Sequence, residues 1–145
     1  MATSISSANA SLVLAVSGLF NVPQAIQGFD VDDAVEVDTV STKEIKIGVD
    51  GLMSAGIIYN PVVLSIILQA DSVSNAFFEQ WYAQEQALQD ALIATGMLRH
   101  QSVRKTYAIL GAALDEYTAA APMKRVLMPR RFTIKIQPPF VGVPF

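Results

Sequence analysis

Apolar and polar positions alternate with a period of two along much of the chain. Val35 and Val37 alternate with Glu36 and Asp38, and Ile45, Ile47 and Val49 alternate with Glu44 and Lys46. Successive side chains of a strand point to opposite faces, so this is the pattern of half-buried antiparallel strands. Near the C-terminal end Phe132, Ile134 and Ile136 alternate with Arg131, Thr133, Lys135 and Gln137, which predicts a strand over Arg131–Gln137. Other runs are continuously apolar. Ser11–Phe20 reads as one buried strand, interrupted by Gly18 and an Asn21-Val22-Pro23 turn, with Gln24–Gly28 as a second short strand. Leu52–Tyr59 and Val62–Gln69 are further strands. They are separated at Asn60-Pro61, because proline cannot donate to a ladder. Asp50-Gly51 predicts a tight turn that pairs the Ile45 run with the Leu52 run. Ala91–Leu98 and Lys105–Leu110 are separated by Arg99-His100-Gln101-Ser102. Ala112–Pro122 reads as strand then loop, and Val126–Met128 as a short apolar run.

The period changes once. Asp71, Ser72, Ser74 and Asn75 offer several N-caps. Beyond them Phe77, Trp81, Gln84 and Leu88 fall at helical spacing, with Glu79, Gln80, Glu85 and Gln86 on the other side. This predicts one amphipathic helix at about 74–88, with Phe77, Trp81 and Leu88 as its core face. The fold class is mainly β: an antiparallel β-sandwich or open barrel with one packed helix. Residues 1–10 read as a flexible arm, 11–137 as a single domain and 138–145 as an extended proline-rich tail.

Composition narrows the function. Of 145 residues, 52% are hydrophobic and 16% charged, against roughly 25% charged in an ordinary soluble domain. That excludes disorder and leaves few charges to cover a solvated surface. A net charge of -3 disfavours a basic nucleic-acid module. The chain has no cysteine and one histidine. Disulfides, thiolate sites and multi-imidazole metal centres are therefore excluded, and no cofactor is expected. The apolar runs fall short of the roughly 20 residues that span a bilayer, and the first lysine is Lys43. No membrane insertion and a soluble, cytoplasmic chain are expected.

The charges are segregated. Residues 1–98 hold eleven acids and two bases, a net of -9; residues 99–145 hold two acids and eight bases, a net of +6. The plain reading is a chance distribution whose halves the sheet topology mixes in space. The sharper reading is a protomer with one acidic and one basic surface, able to stack head to tail.

Catalytic templates fail. No G-x-G-x-x-G, Walker loop, G-x-S-x-G or H-E-x-x-H occurs. Asp30-Val31-Asp32-Asp33 starts like a calcium loop but lacks the glycine and glutamate that follow in one. Asp115 and Glu116 are adjacent on a strand and point to opposite faces, so with His100 they make a poor hydrolase. The chain is expected not to be an enzyme. Lys124, Arg125, Arg130 and Arg131 form a basic cluster around Pro129 with little aromatic interleaving. They are candidates for contact with an acidic neighbouring subunit rather than for nucleic acid. An alternative class is a small β-sandwich carbohydrate-binding or fibre module, with Tyr59, Trp81 and Tyr82 as a stacking platform.

Two segments carry a resemblance: Asn60-Pro61, the apolar strand to Gln69-Ala70 and Ser72–Trp81; and Lys124-Arg125-Val126-Leu127-Met128-Pro129-Arg130-Arg131-Phe132-Thr133-Ile134. In this order they resemble the tail tube proteins of contractile-tailed bacteriophages and their relatives that initiate the tube at the baseplate. The resemblance covers roughly Asp50 to Gln137. It implies a virion protein, assembled in the host cytoplasm, that forms hexameric rings. Those rings stack into a tube through which DNA passes transiently and without specificity. Its implied partners are itself, tail sheath and baseplate proteins, and a tape-measure protein in the lumen. An acidic lumen is also implied, with Asp30, Asp32 and Asp33 as lumen or inter-ring candidates.

Overall fold

The computed structural model describes residues 10–27, 29, 35–100 and 103–144. Ten strands and one helix follow in chain order: β1 (Ala10–Val16), β2 (Phe20–Ile26), β3 (Val35–Val37), β4 (Lys43–Ile47), β5 (Met53–Ile57), β6 (Val62–Leu68), α1 (Asn75–Leu88), β7 (Ala94–His100), β8 (Lys105–Tyr117), β9 (Arg130–Ile136) and β10 (Gly142–Pro144). The main sheet is antiparallel, in the order β2-β1-β7-β8-β9-β6-β3, with β10 added to β8. It does not close into a barrel. A single bridge, Phe29 to Leu68, ties the segment leaving β2 to β6, so the two sides of the sheet meet at one corner.

The inner face follows the period-two pattern. Leu12, Leu14 and Val16 of β1, Leu64, Ile66 and Leu68 of β6, and Phe132, Ile134 and Ile136 of β9 all enter one core. The helix covers it with Phe77, Phe78 and Trp81. Phe78 stacks on Phe132 at 4.4 Å between ring centroids, and Phe77 on Phe20 at 4.8 Å. Each fully buried side chain of this size is worth about 1.5–3 kcal/mol. The predicted caps are used differently. Ser74 Oγ accepts from Gln27 N at 2.8 Å, and Ser72 Oγ donates to Gln27 O. These hydroxyls fasten the chain leaving β2, and Ser74 makes no capping bond to its own helix.

Several boundaries differ from the sequence reading. The first strand stops at Val16 and the turn is Ser17–Leu19, where Gly18 takes φ +85°. Asn21-Val22-Pro23 lies inside β2. This is tolerated because β2 is an edge strand whose ladder with β1 shifts register between Leu14 and Val16. β7 runs on through His100, and β8 extends to Tyr117 with Asp115 as the extra residue of a bulge against β9. Val126–Met128 is not a strand. The proline-rich tail returns to the sheet: Gln137 N donates to Gly111 O, and β10 then pairs with the start of β8. Leu88, placed in the core by its spacing, is 54% exposed. Burial on the helix stops at Trp81, and two turns further along the same stripe no described residue buries Leu88.

Candidate functional site

The hairpin β4–β5 stands apart from the main sheet as a two-stranded sheet of its own. Its turn is built as the Asp-Gly pair predicts. Gly48 N donates to Leu52 O at 2.8 Å, Asp50 Oδ1 accepts from Leu52 N, and Gly51 takes φ +85°. Directly opposed residues share a face. Ile45 with Ala55 and Ile47 with Met53, next to Lys43 with Ile57, make one face apolar; Glu44 with Gly56 and Lys46 with Ser54 make the other polar. The alternation predicts half-burial, but every residue of both strands is exposed. Among the described residues nothing buries this apolar face.

A second exposed feature is the connection from β8 to β9. Met128 N donates to Pro122 O at 3.0 Å and Met123 bridges to Leu127, so Pro122–Met128 closes into a small loop. Met123, Val126 and Leu127 are exposed on it, as are Lys124 and Arg125.

The four basic candidates thus separate. Lys124 and Arg125 are surface cations. Arg130 is 5% exposed and is spent within the chain: it pairs with Glu79 at 2.6 Å and donates to Thr118 O and Ala119 O. Its guanidinium also lies over the Phe132 ring at 5.1 Å. Arg130 is structural because its aromatic and carbonyl surroundings hold it inside. Arg131 is half-exposed and reaches Glu36 at 3.2 Å and Ser65 Oγ at 3.1 Å. Both pairs join a base of the C-terminal part to an acid of the N-terminal part, so some of the charge segregation is cancelled by topology.

Asp30, Asp32 and Asp33 lie outside the described residues. Asp115 pairs with Lys135 at 3.7 Å, and His100 Nδ1 accepts from Val103 N. The aromatic platform does not assemble. Trp81 is fully buried with Nε1 donating to Leu92 O, Tyr82 stacks on Tyr117 at 4.3 Å, and Tyr59 stands exposed. Burial raises the Glu85 carboxyl above its ordinary range, offset in part by the Leu92 N–H that it accepts. Among the described residues no three metal-binding side chains gather, and no helix is long and apolar enough to cross a membrane.

Residues 3–138 match the family described as Tail fiber protein gp32. The chain belongs to this family. It is thus a phage tail protein, which agrees with the sequence resemblance at that level. The fold is similar to that of a chain in the cryo-EM structure of the anti-feeding prophage baseplate, symmetrised six-fold. The TM-score is 0.61 at 10% identity, over 99% of this chain and 98% of that one. At that identity the likeness is one of fold. No curated protein matches the sequence.

The hairpin's role was visible in the sequence only as a strand pair. What the sequence reading missed is that its apolar side stays exposed, with no partner among the described residues.

Proposed function

We propose that this family member is a self-assembling tail subunit without enzymatic activity. Copies form hexameric rings that stack into the tail tube, the conduit for DNA, next to sheath, baseplate and tape-measure proteins. The observation that carries this reading is the detached β4–β5 hairpin with its uncovered apolar face. A two-stranded hairpin is marginal in water by itself, and this one presents Ile45, Ile47, Met53 and Ile57 to solvent. Seating it on a neighbouring copy would cover that face. Among the described residues the open sheet ends in two edge strands, β2 and β3, at which sheets of adjacent copies can meet. The family's description and the fold shared with a baseplate chain support a tail location.

A second reading of the same fold is a tube initiator at the baseplate, supported by the same baseplate likeness. The family description favours a third, fibre-related placement.

The test is sedimentation and negative-stain imaging of the purified chain. Rings or tubes are expected; long tubes select the tube subunit, and single rings select the initiator. The double variant Ile45→Asp, Ile47→Asp should stay folded, within about 0.5 kcal/mol of the parent, and fail to assemble. A parent that stays a compact monomer at high concentration overturns the reading.

A further inference from the structure

The loop between β8 and β9 and the far end of α1 are complementary in a way that one copy does not use. The loop is preformed. Its root is clamped by Arg130 on Thr118 O and Ala119 O, and by Thr118 Oγ1 donating to Arg131 O at 2.7 Å. Its neck is closed between Pro122 and Met128. Met123, 81% exposed, and Val126 flank Lys124 and Arg125 at the tip. No acid occurs from Tyr117 onward, and neither cation forms an ion pair within the described chain.

The end of α1 has the opposite character. No lysine, arginine or histidine occurs between Ile47 and Leu98. The last turn of the helix carries no base, while Glu85 and Asp90 flank a shallow depression there with Gln86 and Gln89. A helix C-terminus carries partial negative charge and favours cations. Two acids at that end oppose this dipole. Glu85 Oε2 accepts from Leu92 N and Asp90 Oδ1 from Ala91 N, and neither forms an ion pair among the described residues. Leu88 continues the buried stripe of Phe77 and Trp81 but is 54% exposed.

We propose that the Pro122–Met128 loop of one copy seats on the C-terminal half of α1 of a second copy. Met123 and Val126 cover Leu88, and Lys124 and Arg125 face Glu85 and Asp90. The inference rests on the self-assembly reading and names one of its contacts. Because two different parts of the chain meet, the contact is heterologous and can repeat from copy to copy.

The absence of cysteine in the chain makes the test clean. Met123→Cys and Leu88→Cys are introduced separately into the full chain, mixed and oxidised. A covalent dimer is expected in the mixture and in neither variant alone. Adding Lys124→Glu and Arg125→Glu to the first chain should lower its yield at least about tenfold, like charges in contact costing more than the tenfold unit of free energy. Adding Glu85→Lys and Asp90→Lys to the second chain should then restore it. Cross-linking of Met123→Cys with itself, or a yield unmoved by charge reversal, overturns the proposal. So does the absence of a mixed dimer while the parent assembles, which leaves the proposed function standing. Absence of both the dimer and any parental assembly overturns both.

Discussion

Arg130 shows how one side chain organises three elements. Its guanidinium joins β9 to Glu79 on α1 and to the carbonyls that end β8. Replacing it with methionine keeps the apolar contacts and strips the bonds. Hydrogen bonds to charged groups are worth about 1.5–3 kcal/mol, so Arg130→Met should cost roughly 3 kcal/mol in urea unfolding. Glu79→Gln should cost less, because the two carbonyl acceptors remain. The sequence shows Arg130 and Arg131 as equivalent members of a basic cluster, yet only Arg131 fits that description. The strand period could have separated them: Arg130 shares its parity with Phe132, Ile134 and Ile136, and so belongs to the inner face. Gly96 is a second residue of this kind. A Cβ there would collide with Val13 O across the β1–β7 ladder and sit 2.9 Å from Leu14 Cδ2. Gly96→Ala should therefore destabilise by about 1–3 kcal/mol, as overpacking does, visible as a lower urea midpoint at unchanged slope.

At the scale of elements, the helix and the hairpin obey their sequence patterns to different extents. The aromatic spacing locates α1 to within a residue, because three rings on one face must be covered and the sheet covers them. It fails at Leu88, where the pattern continues and the cover does not. Trp81→Ala should cost about 3–5 kcal/mol as a large buried truncation. Leu88→Ala should stay within about 0.5 kcal/mol in the monomer. Thermal melts of the two variants side by side read the difference directly. In β4 and β5 the alternation gives the strands and the Asp50-Gly51 turn gives their register, but periodicity says only which face is apolar. It is silent on whether the covering surface is intramolecular. The edge position of β2 was hidden for a related reason: Pro23 looks like a strand breaker until the neighbouring strands are known.

For the whole molecule, the charge arithmetic held only in part. Glu36 and Glu79 are matched within the chain by Arg131 and Arg130, while Lys124 and Arg125 remain on the surface. Assembly that uses such exposed cations should weaken with salt, since the screening length falls from about 10 Å at 0.1 M to about 3 Å at 1 M. A hairpin-driven contact that buries isoleucine and methionine should not weaken in that way. Sedimentation of the parent across that salt range separates the two contributions. The sheet order also sets a timetable. β1 and β2 are neighbours in sequence, but β1 pairs on its other side with β7, where Ala10 meets His100 and Val16 meets Ala94. At roughly 5–20 residues per second, a ribosome completes β1 about 4–17 s before it reaches the end of β7. Throughout that interval Leu12, Leu14 and Val16 have no sheet to enter, and the newborn hairpin waits as a sticky, half-finished edge in a crowded cell.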